Sequence, residues 1–190
     1  METSKQYRYL EKRIKQIKHH FHFNQAINGI TPLQSDRLRG LRLLCHAEFE
    51  DYFESTAIRL LDEAKKKWNA KKVANFNLAS LFIWHEKIQT SDSSTTKAYR
   101  ITSDFEKSIK NNHGIQEKNI RALFEPLGYK TDDFDSTFIS DLSSFGKQRG
   151  ETAHTSAKKT QQPLDLNTEI SLIDRILQQI IDFEGVINRE

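Results

Sequence analysis

Apolar residues recur at helical intervals along almost the whole chain. Between 5 and about 27, Tyr9, Ile14, Ile17, Phe21 and Phe23 are loosely spaced in this way. The run Asn28-Gly29-Ile30-Thr31-Pro32 then breaks the pattern, with Gly to end one helix and Pro to start the next. From 33 to about 68 the only Gly or Pro is Gly40, and Leu38, Leu41, Leu44, Cys45, Phe49, Tyr52, Phe53, Ile58 and Leu61 track one face. This predicts an unbroken helix, long enough at 1.5 Å per residue to be the spine of a bundle. Lys65-Lys66-Lys67 and Lys71-Lys72 flank Trp68 and read first as a frayed, solvated connection, with contact to an RNA backbone as the other reading.

Further apolar segments follow at 76–88 (Leu78, Leu81, Phe82, Trp84, Ile88), 99–110 and 116–124. The polar stretch 89–97 reads as a loop, Asn111-Asn112-His113-Gly114 as an interruption, and Pro126-Leu127-Gly128 as a stop. Residues 133 to about 147 turn Phe134, Phe138, Ile139 and Leu142 inward. A polar loop at 155–163 leads to a last helix, 166–187, with Ile170, Ile173, Ile176, Leu177, Ile180, Ile181 and Phe183 on one face. The expected fold class is therefore all-α: a helical bundle with a four-helix core and additional helices. Residues 1–190 would form one domain, with 1–30 as an N-terminal helical extension.

Composition narrows this picture. An apolar fraction of 36% beside 29% charged residues fits helices with fully solvated outer faces better than a compact α/β core. With 29 basic and 26 acidic residues the formal charge is +3, too mild to demand a nucleic-acid partner on charge alone. Cys45 is the only cysteine, so no intrachain disulfide forms and a reducing cytoplasmic setting is expected. No stretch approaches the ~20 apolar residues of a membrane span. His19, His20 and His22 lack an acidic or thiolate partner at ligand spacing, so no metal site is expected. Ser143 and Ser144 have no nearby base, which leaves a serine hydrolase unsupported.

Two polar constellations carry candidate chemistry. The first is Arg149-Gly150-Glu151-Thr152-Ala153-His154, which joins a permanently charged guanidinium to the side chain that titrates near neutral pH. Five residues apart, Arg149 and His154 would point about 140° away from each other on an ideal helix. A site using both therefore needs a helix end within the motif, for which Gly150 is well placed, or a second copy of the motif across a dimer. In the second constellation Arg39, Arg42, His46 and Glu50 share one face of the long helix and Glu54 continues it. Glu50, one turn from His46, could orient its imidazole or raise its pKa. The alternative is a solvated face laced with salt bridges.

An Arg-x4-His motif late in a helical chain, with an early His46-Ala47-Glu48-Phe49-Glu50 run, resembles the RiboL-PSP branch of the HEPN superfamily, over roughly residues 33–187. The resemblance implies a metal-independent endoribonuclease, without cofactor, in which two protomers face their motifs across one scissile phosphate. The RNA 2′-hydroxyl is then the nucleophile, so neither metal nor protein nucleophile is required. Histidine moves protons near pH 7 and arginine holds the phosphate through a planar fork of donors. The products would be a 2′,3′-cyclic phosphate and a 5′-hydroxyl. By the same resemblance Arg149 and His154 are catalytic, while Arg42, His46, Glu48, Glu50 and Glu151 support the site or contact substrate. The implied partners are RNA, a second copy of the chain and a cognate inhibitor, in a microbial defence or toxin system. Many active members place Asn, Asp or His directly after the arginine. Here Gly150 stands there, and Glu151 or the early-helix carboxylates would substitute.

Overall fold

The computed structural model describes residues 3–23, 30–85, 93–154 and 165–188, with backbone alone at 151–154. Helix α1 spans Lys5–Phe21, opened by Ser4, whose hydroxyl accepts the Tyr7 N–H. Tyr7, Leu10, Ile14 and Ile17, spaced three and four apart, form its buried stripe. Helix α2 runs unbroken from Pro32 to Lys71, 40 residues and so about 60 Å. Thr31 and Gln34 build a capping box at its start, with Pro at the first helical position, where a missing N–H costs nothing. At the other end Lys72 adopts a left-handed conformation (φ 53°) and donates its N–H to the Trp68 carbonyl. The lysine-rich stretch 65–71 is thus the last two turns of the spine rather than a frayed connection. Leu61, Ala64 and half-buried Trp68 give those turns an inner side against which to fold.

Helices α3 (Phe76–Trp84), α4 (Ser94–Lys110) and α5 (Glu117–Phe124) follow, then a short 3-10 turn at Thr131–Asp133, α6 (Ser136–His154) and α7 (Leu166–Ile187). Several boundaries differ from the sequence reading: the third helix ends at Trp84 rather than 88, and the sixth begins at Ser136 rather than 133, because Asp133 closes a 3-10 turn and Phe134 is extended. The first helix ends at Phe21, with His22 already extended. The fourth begins at Ser94, because Ser93 caps the Thr96 N–H and draws half of the expected loop into the helix. The sixth continues seven residues past 147, through Gly150 to His154. Residues 86–92 and the whole expected loop at 155–163 lie outside the described residues.

α1, α2, α6 and α7 close a ring in which each packs on the next, with α3, α4 and α5 added around α2. Helix α1, which lies in the segment expected as an N-terminal helical extension, packs on both α2 and α7. Lys18 pairs with Asp174 of α7, and Arg13 bonds to Glu48 of α2 at 3.1 Å. Gly40 lets α2 approach α1, since a Cβ there would sit 2.5 Å from the Phe21 ring. Buried Glu184 of α7 accepts the Tyr52 hydroxyl at 3.0 Å, the Ser4 N–H at 2.9 Å and the Ser4 hydroxyl, which ties three helices at one point. The centre of the core is aromatic. Phe53 meets Phe124, Phe138 and Phe183 at ring separations of 5.5–6.4 Å. The pairs with Phe124 and Phe183 are edge-to-face, an arrangement that adds about 0.5–1.5 kcal/mol beyond the area buried.

Candidate functional site

α6 packs antiparallel to α2. Phe138 lies against Phe53, and Phe145, two turns further along α6, lies against Phe49 and His46. Arg149, one turn further along α6, lies close enough to His46 for its charge to act on the imidazole. The two constellations, about a hundred residues apart in the chain, thus meet where α6 crosses α2. Close packing supports the junction from a third side, since Gly146 has Gln116 and Ile115 of the α4–α5 connection within contact range of its Cβ position.

His46 is only 2% exposed, and its ring stacks on Phe145 with centroids 6.3 Å apart and planes 20° from parallel. Its Nδ1 lies 3.4 Å from Glu50 Oε2 but makes no hydrogen bond. Burial first, and the Arg149 guanidinium second, lower the imidazole pKa from 6.5 to about 4. This reverses the expected direction: desolvation and a neighbouring cation outweigh the carboxylate one turn away. His46 is therefore neutral at pH 7. Arg149, in contrast, is exposed to solvent on the last turns of α6.

Glu50 is held from the opposite side. Its Oε1 accepts the Gly114 N–H at 2.5 Å, and Gly114 aims that N–H from a φ of +118°, a conformation that favours glycine. Asn119 builds the loop by accepting the Gln116 N–H and donating to Asn112 Oδ1 and the His113 carbonyl. Asn111-Asn112-His113-Gly114 reads in the sequence only as an interruption, yet it anchors the carboxylate beside His46. The legible signal was a glycine that ends an asparagine-rich turn. One turn on, burial and then the Glu50 charge raise the Glu54 carboxyl, against opposing contributions from Asn112 and His113.

Two expected members fall elsewhere. Glu48 is two residues from His46, about 200° round the helix, and faces α1, where it pairs with Arg13. Arg42 is buried and forms a two-pronged ion pair with Glu169 of α7, Nε–Oε1 2.8 Å and Nη2–Oε2 2.5 Å. It joins helices and is not open to a substrate. No local signal identifies Glu169, 127 residues away, as its partner. The side chains of Glu151 and His154 lie outside the described residues. A groove of about 490 Å³ between α1 and α2, lined among others by Tyr9, Glu48 and Arg59, opens on the Glu48 side of the spine rather than at His46.

The unbroken course of α6 alters the geometry of the motif. Gly150 is a helical residue with nothing within 4 Å of a Cβ placed on it, so it neither breaks the helix nor makes a close approach. Positions 149 and 154 consequently lie about 140° apart round one helix. The RiboL-PSP-HEPN family model matches residues 8–189, which takes in α2 to α7 and all but the first three residues of α1. The chain is a member of the RiboL-PSP-HEPN family. No curated protein and no solved structure matches it. Its all-α bundle is the fold expected of a HEPN domain, and the family points to an RNase or RNA-related role. Among the described residues no helix is long and apolar enough to cross a membrane.

Proposed function

We propose that this HEPN protein is a metal-independent endoribonuclease that works as a homodimer, with the α6 motifs of two protomers facing each other across one RNA phosphate. The observation that carries this reading is the continuous helix through 149–154. A rigid helix holds Arg149 out to solvent over a buried, uncharged imidazole, while position 154 lies 140° away, so a second copy is the natural source of the missing group. Arg149 binds and polarises the phosphate as charge builds on its oxygens. His154 takes the 2′-hydroxyl proton or delivers one to the departing 5′ oxygen. His46 is then a positioning residue. Neutral and stacked on Phe145, it adds no charge to repel the guanidinium, while Glu50 contributes a carboxylate fixed by Gly114.

The products are a 2′,3′-cyclic phosphate and a 5′-hydroxyl. The setting we assign is RNA cleavage in the cytoplasm as part of microbial defence or a toxin system, with a cognate inhibitor as the regulating partner. Substituting His154→Ala should abolish cleavage of RNA while leaving the circular dichroism melt unchanged. Cleavage that persists in the purified variant contradicts the role of His154. A second reading, RNA binding without turnover, is favoured by Gly150, which places no polar side chain beside Arg149. Binding of RNA by wild type without any cleavage would select it.

A further inference from the structure

The end of the bundle remote from Arg149 carries the other conspicuous surface. Among the described residues, five of the eight exposed large apolar side chains, Val73, Phe76, Ile83, Trp84 and Tyr99, fall at the C-terminal end of α2, on α3 and on the first turns of α4. Scattered exposed apolar residues are ordinary, but a concentration at one end marks an interaction surface. Trp84 is 55% exposed at the end of α3, and Trp68 packs edge-on against Phe82 of the same helix, which places α3 on the last turns of α2.

These turns are basic. Lys66, Lys67, Lys71 and Lys72 are all exposed, and among the described residues none has a carboxylate within ion-pair range. The nearby acids are engaged: Asp62 and Glu106 with Lys65, and Glu63 with Arg59. Exposed cations at Lys67, Lys71 and Lys72 would repel the same surface of a second copy, which disfavours a symmetric dimer here. Flat aromatic faces beside uncompensated ammonium groups match single-stranded RNA, whose bases stack and whose phosphates need cations.

We propose that the C-terminal end of α2 and the outer face of α3 form a second RNA-binding site, which stacks a base on Trp84 and holds phosphates with Lys67 and Lys71, one turn apart on α2, and with Lys72. Trp68 is 22 residues from His46 on the unbroken α2, about 33 Å along its axis. A strand held here is therefore anchored well away from the candidate site. The inference rests on the ribonuclease reading for the identity of the strand, and on the surface itself for the chemistry.

Both tryptophans of the chain lie at this end, so intrinsic fluorescence reports on it directly. The probe is a 2′-O-methyl oligonucleotide of about 12 residues, within the usual range of single-strand sites, which lacks the 2′-hydroxyl and is not cut. Wild type should bind it with quenching, and Trp84→Ala should weaken binding about ten-fold. Replacing Lys67, Lys71 and Lys72 by alanine should reduce the slope of log K against log salt by about 2.1, or 0.7 per lost phosphate contact. Absence of quenching, or equal affinity in both variants, overturns the proposal. So does equally tight, Trp84-dependent binding of poly-glutamate, which would assign the surface to an acidic polypeptide. Quenching by a wild type that never cleaves RNA leaves this site standing and removes the nuclease reading. Cleavage without quenching does the reverse.

Discussion

Protonating His46 should destabilise the fold, and the size of the effect follows from its surroundings. The imidazole is buried beside a guanidinium, with its pKa lowered to about 4 from an ordinary 6.5. Above pH 6.5 it is neutral in both folded and unfolded chains and contributes nothing to pH dependence. Between pH 6.5 and 4 the unfolded chain takes up the proton and the folded one does not, so stability falls as pH falls. The full difference of about 2.5 pKa units corresponds to about 3 kcal/mol, lost by pH 4. That is a large share of the total stability of a domain. Urea unfolding followed by far-ultraviolet circular dichroism, from pH 4.5 to 7.5, measures it when wild type is compared with His46→Gln, which cannot titrate. The raised Glu54 carboxyl, whose pH dependence has the opposite sign, is present in both proteins and largely cancels in the comparison. The gap between the two curves should change by a few kcal/mol across this window. A gap that stays constant with pH would refute the account of a buried, neutral His46 beneath Arg149.

Other perturbations test separate parts of the structure. Arg42→Ala leaves Glu169 buried without its ion-pair partner and should cost about 3–5 kcal/mol in urea unfolding; a change below 1 kcal/mol would contradict a buried pair. Gly150→Ala should stabilise the protein by about 0.5–1 kcal/mol, because the residue is helical and has open space around it. Destabilisation by that substitution would indicate a helix break. Gly114→Ala forces a side chain into φ +118° and crowds Asn119, so it should cost at least about 1–3 kcal/mol and loosen Glu50. The Cys45 thiol, buried and with its pKa pushed up chiefly by desolvation, should not react with a thiol reagent until the protein unfolds.

Much of this fold was legible because helical periodicity is a local property. The spine shows its buried face through Leu38, Leu41, Cys45, Phe49 and Phe53, all of them core residues, whereas Leu44, expected on the same face, is exposed and Ile58 only half-buried. Helix α7 was readable to the residue for the same reason. The end of α6 was not. Glycine suggests a stop in a sequence, but one glycine costs a helix only about 1 kcal/mol, and the rest of this helix outweighs it. The shared face of Arg39, Arg42, His46 and Glu50 was likewise readable, whereas the fate of each member depended on remote partners. Glu169 captured Arg42, the Gly114 loop captured Glu50, and Phe145 and Arg149 set the state of His46. The pKa of His46 could not be inferred from its neighbour one turn away, because burial decides it, and burial is a tertiary property.

The most direct test of the central claim is cleavage of a mixed RNA pool in EDTA, comparing wild type with the Arg149→Ala/His154→Ala double variant, with both ends of each fragment identified. The account predicts fragments from wild type alone, ending in 2′,3′-cyclic phosphate and beginning with 5′-hydroxyl. Cleavage by the double variant, or fragments from wild type that begin with 5′-phosphate, would contradict it.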